Sequence, residues 1–239
     1  MEKTLVISDV TQMPQGNEVC IVGIDRNGKS ERPVCHGDFQ KHYLIQNHKA
    51  IIRPAAKVEF DLKVIEINPP HIEDMGFDPN SITSKGFCNN DEWGSILQQT
   101  SFNTVEEIFE GYLQNNNWIL PGSNTRSIGT LSRAKIMDIE LTGGSVKPRI
   151  SFADSSNHEY CRPVNDLTLW NRCYSRVKRQ GNDPNEVAQE LVTLFQNADR
   201  IYMRLGLARP WEQDNKCWLQ ITGVHTFPDY LQGKTFTDF

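Results

Sequence analysis

A four-residue phrase nearly repeats itself in this chain. Residues 31–34 read ERPV and residues 161–164 read CRPV, which sets Arg32 and Arg162 130 residues apart, slightly over half of the 239-residue length. In each half the phrase falls on the second arm of a predicted hairpin, and in each it is followed by an acid beside an apolar residue, Asp38-Phe39 and Asp166-Leu167. A chain this long built from two copies of one unit must fold each copy around a small core of its own. The repetition therefore points to a tandem of small β-rich units. The competing reading is a single larger α+β domain in which RPV recurs by chance.

The local signals fit the tandem. RNGK at residues 26–29 predicts a two-residue type I′ turn between strands at 19–25 and 30–34. Val58, Phe60, Leu62 and Val64 alternate as a long strand. NPPHIEDMGFDPNS, with its prolines and Asp-Pro pair, reads as a loop. NDEWGSILQQ and NTVEEIFEGYLQNNN read as helices, the second capped by Asn103 or Thr104. IGTLSRAKIMDIELTGG is extended, and KPRISFADSSNHEYCRPV is a second hairpin turning at DSSNHE. A long helix is expected from Asp183 and Pro184, with the stripe Val187, Leu191, Leu194, Ala198 and Ile201 and a stop at Gly206. A last strand is expected at 217–224. The division between units is placed after Asn117, giving residues 1–117 and 118–239.

Charge and cysteine content narrow the partners. Net charge is −5, which argues against a protein that coats DNA without specificity. Residues 1–117 hold 10 basic and 17 acidic side chains, and residues 118–239 hold 15 and 13. The second half is the better place for a polyanion, and the acidic first half is a candidate surface for a protein partner. The six cysteines have no C-x-x-C spacing and read as small buried apolar groups. The apolar runs fall far short of the roughly 18 residues of a membrane span, and MEKTLVISDV has no secretory apolar core. A cytoplasmic protein without membrane contact and without a cofactor is expected.

Three stretches carry a family resemblance: VCIVGIDRNGKSERPV, PPHIEDM and, most specifically, LGLARPWEQDNKCWLQITGVHTFPDYLQGKTFTDF. Through them the chain resembles the dual OB-containing domain family, bacterial and mobile-element proteins built from two OB-type barrels. Residues 76–117 carry none of the resemblance. It implies a mainly β, β-rich α+β protein of two tandem OB-like barrels, each with an accessory helix, the first with a helical insertion and the second with an aromatic tail. It also implies nucleic-acid binding, and a place in a bacterial defence or mobile-element system. An OB barrel binds oligonucleotides or oligosaccharides on its strand face and loops. Aromatic rings stack on the bases while Arg and Lys follow the phosphates.

The residues supply candidates for that role. LWNRCYSRVKRQG interleaves Trp170 and Tyr174 with Arg172, Arg176, Lys178 and Arg179, the densest basic and aromatic stretch of the chain; a solvated helix face is its plainer reading. Arg32 and Arg162 could present guanidinium groups to phosphates from matching positions on the two barrels. The favoured reading is structural, with the proline marking a strand edge and the arginine paired with Asp38 or Asp166. Trp211, beside Arg204 and Arg209, reads as a packed ring after a helix end. Phe227, Tyr230, Phe236 and Phe239 read as a tail that seals a barrel. His71, Glu73 and Asp74 are the alternative acid–base group of a nucleotide- or nucleic-acid-processing enzyme, and His36, His42 and His48 recur every six residues. No metal site is expected from that spacing alone, and the first reading is a non-catalytic binder of single-stranded DNA or RNA.

Overall fold

The structure is a computed structural model and describes all residues except Gln15, residues 36–38, Gly143 and Ser145. Asp38 and His36, both singled out above, lie outside the described residues.

The first unit contains β1 (Glu2–Gln12), β2 (Val19–Ile24), β3 (Ser30–Val34), the two-residue strands β4 (Ile45–Gln46) and β5 (Lys49–Ala50), β6 (Ala56–Lys63), β7 (Asp74–Phe77) and β8 (Thr83–Phe87). β1 pairs with β2 and β6, β2 with β3, β3 with β7 and β7 with β6, so five strands close into a ring. The β3–β7 pairing is parallel and the other four are antiparallel. β6 shows why the ring has an inside. Ala56, Val58, Phe60 and Leu62 are buried in its core, while the intervening Lys57, Glu59 and Asp61 are partly exposed, the period of two that a half-buried strand requires.

The rest of the chain supplies α1 (Asn90–Gln99), β9 (Ser101–Phe102), α2 (Val105–Phe109), β10 (Trp118–Ile119), β11 (Ile128–Ser132), β12 (Lys135–Thr142), β13 (Lys147–Ala153), β14 (Glu159–Pro163), α3 (Leu167–Tyr174) with a π-helical turn over Ser175–Arg179, α4 (Pro184–Gln196), β15 (Arg200–Leu207) and β16 (Cys217–Phe227). β12, β13 and β14 form a meander, and β11 pairs with β15, which pairs with β16. A single parallel bridge, Val164 to Ile221, joins the end of β14 to β16. With β11 and β12 read as one bent strand, the connections repeat those of the first ring. Both units are OB-like, and α3 and α4 lie between the third and fourth strands of the second. β9 and α2, which precede Asn117, pair or pack with later strands, so a division after Asn117 runs through a sheet.

Two local devices recur at a constant offset of 129 residues. The first strand of each unit carries a bulge, at Ile7/Asp9 and at Ile136/Asp138, which bends it into two sheets. The hairpin that follows turns on an aspartate. Asp25 Oδ1 accepts from the N–H groups of Asn27 and Lys29, and Asp154 Oδ1 from those of Ser156 and His158. Gly28 and Asn157 take positive φ in the same place. The RNGK turn is thus a longer loop with a positive-φ residue at its end, not a two-residue type I′ turn.

The RPV phrase does not keep that offset. Ser30 stands opposite Ile24 and Glu159 opposite Ala153, so counting from the turns matches Arg32 to Cys161. The expected equivalence of Arg32 and Arg162 is corrected: they share a strand but differ by one in register, and one residue turns a side chain to the other face. Two further expectations are corrected. Asp74–Phe77 in the proline-rich loop is a strand, the last of the first ring. The long helix stops at Gln196, and Arg200–Leu207 is a strand. Met203, Leu205 and Leu207 alternate into the second core, leaving Tyr202 and Arg204 to face the first unit.

That seam is polar and buried. Arg204 Nε lies 2.8 Å from Asp9 Oδ2, with the two side chains 1% and 0% exposed. Arg204 also donates to Thr130 Oγ1 and Ser30 Oγ, and Asp9 accepts from Ser8 and Thr222. Beside it Arg32 donates to Asp74 and to Ser127 Oγ, and Glu73 accepts from the N–H and hydroxyl of Ser127. Apolar contacts complete the seam. Trp93 and Leu97 of α1 pack on Tyr202 and Phe227, and Phe236 of the tail enters the first core while Tyr230 enters the second.

A buried ion pair broken on one side leaves an uncompensated charge. Arg204→Ala should therefore lower the unfolding free energy by about 3–5 kcal/mol. Asp9→Ala combined with Arg204→Met should cost clearly less than the sum of the single changes. Additive losses in denaturant titrations would contradict the coupling.

Candidate nucleic-acid interface

The docking of the two units decides which strand faces remain free. On the first ring, Ser8, Asp9 and Arg32 all reach residues of the second unit. Gln12 N–H donates to Asn165, and Thr11 bridges Asp166. The β1–β2–β3 outer face, where an OB barrel would take a ligand, is the seam.

The corresponding face of the second unit is open. Ile150, Phe152 and Tyr160 point into the core, so Lys147, Arg149, Ser151, Cys161 and Pro163 point outward and are half-buried. Lys135, Glu140 and Thr142 are exposed. Arg149 Nη2 donates to Cys161 O at 3.3 Å. The ammonium of Lys147 lies 5.4 Å from the Trp170 ring centroid, and burial lowers its pKa. The face is mixed in charge, with Arg149 opposite Glu140.

The basic stretch between the third and fourth strands divides in two. Arg172 and Arg176 each lie 2.8 Å from a Glu190 oxygen, and Arg172 also donates to Tyr230 O. They bind α3 and the π-helical turn to α4. Lys178 and Arg179 are exposed, and the Arg179 guanidinium stands 6.0 Å from the Tyr174 ring, which is 42% exposed. The π-helical turn after Tyr174 sets these groups on the outside of the accessory helix.

The two RPV arginines serve structure. Arg32 is 5% exposed and bonded to Asp74, His71 and Ser127. Among the described residues Asp74, not Asp166, is its carboxylate partner. Arg162 stands opposite Ile150 on the core-facing side, near the Tyr160 ring, and donates to Cys161 O and Asn116 O. Asp166 caps α3 instead, accepting from Thr168 and Leu169.

His71, Glu73 and Asp74 come together, but inside the seam, where they are 2%, 5% and 7% exposed. Arg209 Nη2 lies 2.7 Å from Asp74 and ties the β15–β16 hairpin to the same group. Burial, then the charges of Arg32 and Arg209, push the His71 pKa down to about 2. A ring held neutral and enclosed is a packing element and a hydrogen-bond partner, not a solvent-reachable acid–base group. His42 lies against Tyr43 at 4.0 Å and His48 is exposed. Among the described residues no group of three or more His, Cys, Asp or Glu could hold a metal ion.

One aromatic group escaped the sequence reading. Trp211 is 55% exposed at the end of the β15–β16 hairpin, and the expectation of a packed ring is corrected. The segment before it is a strand, so the Pro210-Trp211 pair enters a hairpin loop and not a helix end. Trp118 and Trp218 stand directly opposite each other across β10 and β16. The signal was available: QNNNW places three asparagines before a tryptophan, and the first two, Asn115 and Asn116, take positive φ in a tight turn that delivers Trp118 to the sheet edge.

The family model for the dual OB-containing domain matches residues 3–224, nearly the whole chain, and the chain belongs to that family. No curated protein matches it. No helix among the described residues is long and apolar enough to cross a membrane.

His71 gives a pH test of the seam. The ring is neutral in the fold and free to protonate near its ordinary 6.5 when unfolded. Its stabilising contribution is whole above about pH 6.5 and declines as pH falls below it, by about 2 kcal/mol between pH 6.5 and 5. The melting temperature should drop from pH 7.5 to pH 5 and drop less in His71→Gln. Parallel pH profiles for the two proteins would refute it.

Proposed function

We propose that this dual OB-containing protein is a non-catalytic binder of single-stranded DNA or RNA, and that the ligand lies on the second unit, with the units dividing just before Ser101. The observation that supports this is the asymmetry of the seam. One OB strand face is closed by docking, and its counterpart is open and meets α3 at the Lys147–Trp170 contact, the helix whose far end carries the exposed Tyr174, Lys178 and Arg179. Net charge does not carry the reading. Assigning residues 101–117 to the second unit adds Glu106, Glu107 and Glu110 and cancels its positive excess. What supports it is the local placement of cations beside exposed rings, which a single-strand groove needs. A role in bacterial defence or mobile-element biology is carried by the resemblance alone.

A second reading rests on the first unit. Val64 and Ile67 are 80% and 45% exposed on either side of Glu66, an apolar and acidic segment suited to a protein partner. Fluorescence anisotropy with labelled single-stranded DNA and RNA at two salt concentrations separates the two. Salt-sensitive binding supports the first reading, and no binding at low salt leaves the second. Lys178→Ala with Arg179→Ala should flatten the log–log salt slope by about 1.4, at roughly 0.7 per phosphate contact on a single strand. An unchanged slope would move the phosphate path elsewhere.

A further inference from the structure

On the outer side of β16, Trp218 and Gln220 alternate with the core residues Cys217, Leu219 and Ile221. Trp118 faces Trp218 from β10, the edge strand of its sheet. The Lys216 ammonium lies 4.7 Å from the Trp118 ring centroid and 5.3 Å from that of Trp218. Its ion pair with Asp214 is loose, at 3.9 Å. Trp211 N–H donates to Lys216 O across the same hairpin at 3.1 Å, so the backbone that carries a third, 55% exposed indole is anchored to the residue whose ammonium lies over the other two. The hairpin is fixed at its base by the Arg209–Asp74 pair, and the Trp118 turn is fixed by the bond from Arg162 to Asn116 O.

We infer that Trp118, Trp218 and Trp211 form the base-stacking subsite for a single-stranded nucleic acid, with Lys216 as a movable cation that leaves the rings for a phosphate when bases occupy them. This rests on the nucleic-acid reading above and gives it an address. A lysine over solvated rings is a weak contact, whereas each base that stacks on an indole gains more, whatever its identity. The exchange places the positive charge where the backbone of the strand must pass. Rigid rings on an anchored hairpin and a paired edge lose little freedom on binding. The subsite lies beyond β14 from Arg149, on the strand that the Val164–Ile221 bridge joins to it, so a strand crossing the open face continues onto the indoles.

The test uses the full chain, a fluorescein-labelled deoxythymidine 20-mer, and an abasic deoxyribose-phosphate 20-mer of equal charge. Trp118→Ala, Trp211→Ala and Trp218→Ala should each weaken binding to the thymidine strand by about tenfold. Trp218→Phe should restore most of the loss, and the abasic strand should bind more weakly and be indifferent to all the substitutions. Thermal melts confirm that the variants fold. Unchanged thymidine affinity in all three alanine variants, or equal losses on the abasic strand, would overturn the inference while leaving nucleic-acid binding in place. A wild-type protein that binds neither strand at low salt would overturn both.

Discussion

The pairing of Asp9 with Arg204 is the constraint on which the arrangement depends. Two charges taken out of water must be matched in position as well as in sign. Thr130, Ser30, Thr222 and Ser8 supply the remaining hydrogen bonds. The match fixes β1 of one barrel against β15 and β16 of the other. Arg32, Glu73 and Asp74 extend the lock to Ser127. Apolar packing alone would allow two barrels to slide, and a row of buried polar bonds does not. The bulge at Ile7/Asp9 has a visible purpose here, because it turns Asp9 out of the ring and toward Arg204.

Much of the fold was legible because it is written in local chemistry. The period of two in β6, the Thr104 capping box and the Asp183-Pro184 helix start each state their structure within a few residues. The misreadings came where tertiary pairing outweighs local signal. RIYMRLGL follows a strong helix and continues its apolar rhythm, so the change of period at Asn197 was hidden. DMGF lies between prolines and is a strand only because β3 and β6 flank it. RPV was a true sign of duplication and a poor ruler. The aspartate turns at Asp25 and Asp154 and the two bulges keep register, but DRNG and DSSN share too few letters to be seen as the same device.

The candidate site was partly legible for the same reason. Density of charge is visible in sequence, and it led to Arg172, Arg176, Lys178 and Arg179. Whether a cation is already paired is not visible, and Glu190 engages the first two. Trp118 and Trp218 are far apart in the chain and meet only through the β10–β16 pairing, and the hairpin ties the Trp211 backbone to Lys216 beside them. HIED suggested chemistry because its residue types do chemistry elsewhere. Its place in the seam shows the same groups serving as a dock, with the histidine held neutral by burial beside two arginines.

Closure of one face and exposure of the other makes the protein a single asymmetric surface built from a duplicated unit. Hydrogen–deuterium exchange on the full chain, with and without a deoxythymidine 20-mer, reads that asymmetry most directly. The account predicts added protection in β13, β14, β10, β16 and residues 208–216, and none in β1, β2 and β3. Protection confined to the first ring, or an opening of the seam on binding, would contradict it.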